Sequence, residues 1–111
     1  MTQANYETGR LEGMVRGWFV GDFSPTMLAT GEVEVAIQRY PAGSHEAAHF
    51  HKVATEITVI LEGEAEMLGR IFRTGDIVKL PPGTTTDFKA ITDVTTVVVK
   101  HPGAKNDKYL A

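Results

Sequence analysis

GSHEAAHFHKVATEITVILEG, residues 43–63, is the stretch on which the reading of this 111-residue chain turns. It carries His45, His49 and His51, three of the chain's four histidines, and Glu56 stands just ahead of a β-branched run. On a strand, residues two apart project from the same face, so His49 and His51 point together and Phe50 points away. At ~3.3 Å rise per residue their backbones stand about 6–7 Å apart, close enough for two imidazoles to converge on one ion. Glu56, from the next strand, completes a facial set of two histidines and one carboxylate. Such a set with open positions suits Fe(II), Mn(II), Ni(II) or Zn(II). A His-x-His pair alone is an ordinary feature of surface and core strands, and Glu56 alone reads as a solvated strand-start residue. The three together point to a metal.

Outward from this stretch, the chain is a succession of short apolar or alternating runs punctuated by glycine and proline. GWFVGDF, EVEVAIQRY, EITVILEG, EAEML, DIVKLPPG, TTTDFKAI and DVTTVVVKH each read as a strand with turn signals between them. EGEA, residues 62–65, and LGRI, around Gly69, read as hairpin turns whose glycines supply a positive φ. Glu64 and Glu66 then form a solvated hairpin face. A helix competes only in PAGSHEAAHFHKVATE, where the apolar spacing is poor. Seven to nine strands in one chain of this length predict a single all-β domain, residues 1–111, built as a sandwich or barrel.

The spacing Gly43-x5-His49-x-His51-x4-Glu56-x6-Gly63 resembles the first motif of the cupins, and Gly75-x5-Pro81-x-Gly83 resembles the start of their second. The motif region spans residues 43–90, and the flanking strand signals extend the resemblance over most of the chain. It implies a small jelly-roll β-barrel with a divalent metal in its mouth, held by His49, His51 and Glu56. It also implies that Gly43, Gly63, Gly75 and Gly83 are turn residues and that Pro81 ends a strand. One position departs from the pattern. Where the family's second motif supplies a further histidine, this chain has Thr86, whose hydroxyl is a poor ligand for a borderline metal. Three other residues are candidates for the missing place: Asp87 next to it, His45 from the loop and His101 from the last strand. Thr86 itself is the candidate for contacting substrate.

Composition narrows the function. There is no cysteine, which removes disulfides and thiolate ligands. The net charge of −3 comes with no basic cluster, so no nucleic-acid partner is expected. The first residues are polar and no stretch is long and apolar enough to span a membrane, which predicts a soluble cytoplasmic protein. The tail PGAKNDKYLA, residues 102–111, reads as a solvated C-terminus. Trp18, Phe19, Phe23 and Phe88 read as core or interface residues. Of the alternating pairs Gln38/Tyr40 and Ile37/Arg39, one is expected to line the interior. GWFVGDF, an apolar strand near the N-terminus, predicts a homodimer that protects a sheet edge. Two functions follow: a metal-dependent enzyme acting on a small polar molecule (a carboxylate, sugar or hydroxylated compound), or a non-catalytic module binding such a ligand. Isomerase, lyase and oxygenase chemistry all fit the first.

Overall fold

The computed structural model describes residues 5–111. Among these there is one short 3-10 turn, Leu11–Gly13, followed by ten strands. They are β1 Trp18–Val20, β2 Glu34–Tyr40, β3 His45–Phe50, β4 Thr55–Glu62, β5 Glu64–Met67, β6 Arg70–Arg73, β7 Ile77–Leu80, β8 Thr86–Ala90, β9 Val94–His101 and β10 Tyr109–Leu110. They form two antiparallel five-stranded sheets, ordered β1-β2-β9-β4-β7 and β10-β3-β8-β5-β6. The chain crosses repeatedly from one sheet to the other, the all-β jelly-roll arrangement that the cupin resemblance implies.

The core lies between the sheets and follows from side-chain alternation. β7 buries Val78 and Leu80, β8 buries Phe88 and Ala90, and β9 buries Val94, Thr96 and Val98. Ile60, Ala65 and Met67 fill the space from the facing strands, and the Tyr40 and Phe88 rings meet at 4.5 Å. Fully burying an aliphatic side chain of this size contributes about 1.5–3 kcal/mol, so the interdigitated layer is the main source of stability. β9 is central in its sheet, flanked by β2 and β4 over their whole length. That position accounts for the near-continuous β-branched run VTTVVV.

Three expectations change. First, EGEA is not a hairpin. Its two flanking strands belong to different sheets, since β4 pairs with β7 and β9 while β5 pairs with β6 and β8. Gly63 is instead a corner between sheets. It has φ +96°, and a Cβ there would fall 2.2 Å from the Asp93 carbonyl oxygen. Gly69 does turn a hairpin, with Leu68 and Gly69 both at positive φ and Met67 opposite Arg70.

Second, the tail is anchored rather than solvated. Tyr109 and Leu110 pair with Phe50 and His49, adding an edge strand beside the histidine strand. Asp107 is buried, and its carboxylate accepts the backbone N–H groups of Lys52, Val53 and Ala54 at 2.9–3.2 Å. The residues that made the tail look soluble, Lys105, Asn106 and Lys108, do face water. The anchoring is done by groups between them. Third, β10 raises the strand count to ten, above the seven to nine expected.

Candidate metal site

His49 is the penultimate residue of β3 and His51 lies just past its end, with their rings in an edge-to-face arrangement, centroids 5.5 Å apart. Each imidazole is held by its Nδ1. His51 Nδ1 lies 2.8 Å from the Asp107 carbonyl oxygen, and His49 Nδ1 lies 3.0 Å from that of Ala47. A carbonyl only accepts, so Nδ1 carries the proton in both rings and Nε2 presents its lone pair when the ring is neutral. This is the tautomer a metal requires, fixed by the kind of backbone contact that orients ligating histidines.

Glu56, on β4, brings Oε1 to 3.5 Å from His51 Nε2. At that distance the two groups attract without completing a hydrogen bond. His51 Nε2 is buried and has no hydrogen-bond partner. An orphaned buried nitrogen is costly unless something satisfies it. Two donors each ~2.1 Å from a shared ion stand roughly 3.0–3.4 Å apart, so the pair is within a small adjustment of sharing one. The residues therefore fit a divalent metal. Among the described residues no trio of histidine and carboxylate side chains is already closed to coordination distance.

Electrostatics point the same way. Burial pushes the Glu56 carboxyl up, but His51, Lys100 and His49 outweigh it and hold Glu56 below the usual carboxylate value. His51 is raised, first by its interaction with Glu56 and against burial. Without a metal, a proton is drawn to the place between them. A cation competes for that place.

His49 and Glu56 open on a cavity of about 590 Å³ that Glu46 and Trp18 also line, with His51 buried just beneath it. A smaller hollow of about 40 Å³ adjoins it, lined by Thr58, Thr86 and Thr96. The Thr96 hydroxyl is buried and also lacks a partner. Of the alternating β2 pairs, Gln38 and Tyr40 line both spaces. Tyr40 donates to Gln38 Oε1 at 2.7 Å. Burial, then the charge and hydrogen bond of Glu46, push its phenol far above the ordinary tyrosine value, so it keeps its proton. Lys100 lies opposite Glu56 in register, with its Nζ 4.8 Å from the Trp18 ring centroid. Arg16 contributes a second cation to the mouth.

The residues considered for the fourth place are distributed as follows. Thr86 faces inward directly opposite His49, but its hydroxyl is committed: it accepts the Leu68 N–H at 3.0 Å and donates to the Asp87 carbonyl at 2.8 Å. His45 and Asp87 pair with each other at 3.0 Å on the surface, both about half exposed. His101 is exposed at the end of β9, opposite Thr55.

Two functional residues escaped the sequence reading. Glu46 should point away from His49 by strict alternation. Yet Glu46 opposes Phe88 while His49 opposes Thr86, so three steps along β3 match two along β8. The extra residue is a bulge that resets the alternation and turns Glu46 to the histidine face. Asp107 belongs to a sequence-distant tail, and nothing local announces its contact with the loop at 52–54.

No family model and no curated protein matches the chain. Solved structures do. A Klebsiella pneumoniae protein described as having a double-stranded β-helix domain aligns with a TM-score of 0.68 at 25% identity, covering 74% of this chain and 72% of its own. DMSP lyase DddQ from Ruegeria pomeroyi aligns with a TM-score of 0.71 at 23% identity, over 85% of this chain and 49% of the lyase. Oxalate decarboxylase from Bacillus subtilis, a protein with Mn(II) centres, aligns with a TM-score of 0.62 at 21% identity, over 72% of this chain and 24% of the enzyme. The fold is the double-stranded β-helix of the cupins.

Proposed function

We propose that this chain of cupin fold is a metal-dependent enzyme acting on a small polar molecule that carries an acid group. One observation carries the reading: the buried, unpartnered Nε2 of His51, with its tautomer fixed from behind and His49 and Glu56 beside it. His49, His51 and Glu56 would hold the ion, which when bound supplies Lewis-acid polarisation or oxygen activation. The chain's own groups do the rest. Arg16 and Lys100 at the mouth attract an anion and orient it toward the histidine wall. Tyr40, kept protonated and donating to Gln38, presents its phenol oxygen to the cavity as an acceptor. Trp18 and the buried floor of Met67 and Phe88 limit the water around a bound molecule. The cavity volume suits a small metabolite. The likeness to a lyase and a decarboxylase supports this class of chemistry and leaves the reaction open.

The second reading, a ligand-binding module without catalysis, is favoured by one feature, the threonine at 86 in place of the family's further histidine. Elemental analysis of the purified protein separates the two. A stoichiometric divalent metal, lost when His49 and His51 are both changed to alanine, supports the enzyme. Wild-type metal content in that double variant would show the site to be misassigned, and an organic ligand bound without metal would favour the module.

We further propose a homodimer formed partly through the segment GWFVGDF. Its strand β1 is the outer strand of its sheet, and the flanking Val15 and Leu28 are more than half exposed.

A further inference from the structure

The cupin pattern leaves one ligand place unfilled in this chain, and the structure offers a carboxylate for it. We infer that Glu46 is the fourth protein ligand of the metal held by His49, His51 and Glu56. The inference rests on the metal-site reading above. Glu46 Oε1 stands 3.6 Å from His49 Nε2, almost the same separation as His51 Nε2 from Glu56 Oε1 at 3.5 Å. Each imidazole therefore has one carboxylate oxygen opposite its free nitrogen, and both carboxylates face the same cavity.

The β3 bulge is what makes this possible. Without it Glu46 would lie on the far side of the sheet from His49. The carboxylate is also held by a cation on the cavity wall. Lys108 Nζ lies 3.2 Å from that same Oε1. Lys108 stands next to β10, so the tail that anchors His51 through Asp107 also steadies Glu46. Thr86, His45, Asp87 and His101 are each otherwise committed or turned to solvent, as described above.

The chemical consequence is a site of two imidazole nitrogens and two carboxylates. Two negative charges balance a divalent ion. The second carboxylate shifts preference toward the harder Mn(II) and Fe(II) relative to a site of three imidazoles and one carboxylate, and an ion that takes six ligands would keep two places for substrate.

The test is metal affinity, measured by competition with a chromogenic chelator for Mn(II) and Zn(II), on variants whose melting temperatures are recorded alongside. Glu46→Gln keeps shape but gives up the charge and one acceptor oxygen. It is expected to weaken both metals at least tenfold, comparably to Glu56→Gln. Lys108→Met, which removes the support and leaves the carboxylate, is expected to change affinity no more than threefold. Thr86→His placed in the Glu46→Gln background is expected to recover most of the loss, since one imidazole replaces one carboxylate. Wild-type affinity in Glu46→Gln, with His49→Ala and Glu56→Gln both impaired, would overturn the inference and leave the metal site standing. Wild-type affinity in His49→Ala would overturn the metal site itself and the inference with it.

Discussion

At the scale of single residues, the imidazoles matter less for where they are than for which nitrogen they present. Asp107 and Ala47 lend carbonyl oxygens that take up both Nδ1 protons, so two histidines arrive at the cavity as ready acceptors. Thr86 sits across the ladder from His49, where a longer side chain would enter the same space. Thr86→His in the otherwise native protein should therefore tighten Zn(II) binding, and titration calorimetry on the metal-free protein checks it. The substitution gives up two hydrogen bonds of the threonine hydroxyl, so a loss of about 1–2 kcal/mol in metal-free stability is expected. Unchanged Zn(II) affinity would mean that position 86 does not face the ion.

Elements hold these residues in register through a few demanding positions. The β4–β5 corner needs Gly63: its φ is +96°, and an added Cβ would meet the backbone of Asp93. Gly63→Ala should destabilise by about 2 kcal/mol or more, read as a lower midpoint in urea unfolding. A midpoint equal to wild type would mean that the corner can relax.

The loop at 52–54 is held by Asp107. Burial pushes the carboxyl of Asp107 up, but the N–H groups of Ala54, Lys52 and Val53 outweigh it and bring it below the ordinary aspartate value. A group lowered in the folded state stabilises the fold above its unfolded value, near 4, and loses that contribution as pH falls through the lower folded value. Melting of the metal-free protein between pH 5 and pH 2.5 should thus drop more steeply in wild type than in Asp107→Asn, which has no carboxylate to protonate. At neutral pH the variant should be less stable by roughly 1–3 kcal/mol. Parallel melting curves for the two proteins would rule out the carboxylate as the cause.

The described residues form two sheets with an apolar layer between them that continues into the lining of the polar cavity. β1 is an outer strand, short and apolar, partly covered by the backbone of Met27 and Leu28, with Trp18 turned to the cavity and Val15 exposed nearby. If copies associate there, light scattering at high micromolar concentration should give twice the chain mass. A charge at the edge, Val15→Lys, should return it to the monomer. A monomer mass for the wild type would remove the dimer. No helix among the described residues is long and apolar enough to cross a membrane.

The sequence by itself determined most of the strands, the glycine and proline breaks between them, and the pairing of His49 with His51. These rest on local rules: alternation along a strand, positive φ at glycine, and a fixed spacing of ligand types. The all-β sandwich or barrel class was legible for the same reason, since many short strands with regular turns leave few ways to bury one face each, and the jelly roll followed from the resemblance of the glycine, histidine and glutamate spacing to the cupins. Tertiary structure alone decided four things. It made EGEA a corner, because pairing partners lie far apart in sequence. It put Glu46 on the histidine face, because a bulge is a mismatch between two strands and cannot be seen in either one. It turned a polar tail into the anchor of the loop beside His51, because Asp107 finds its donors more than fifty residues away. It occupied the hydroxyl of Thr86 and paired His45 with Asp87 at the surface, because hydrogen-bond partners are chosen only when the chain has folded around them.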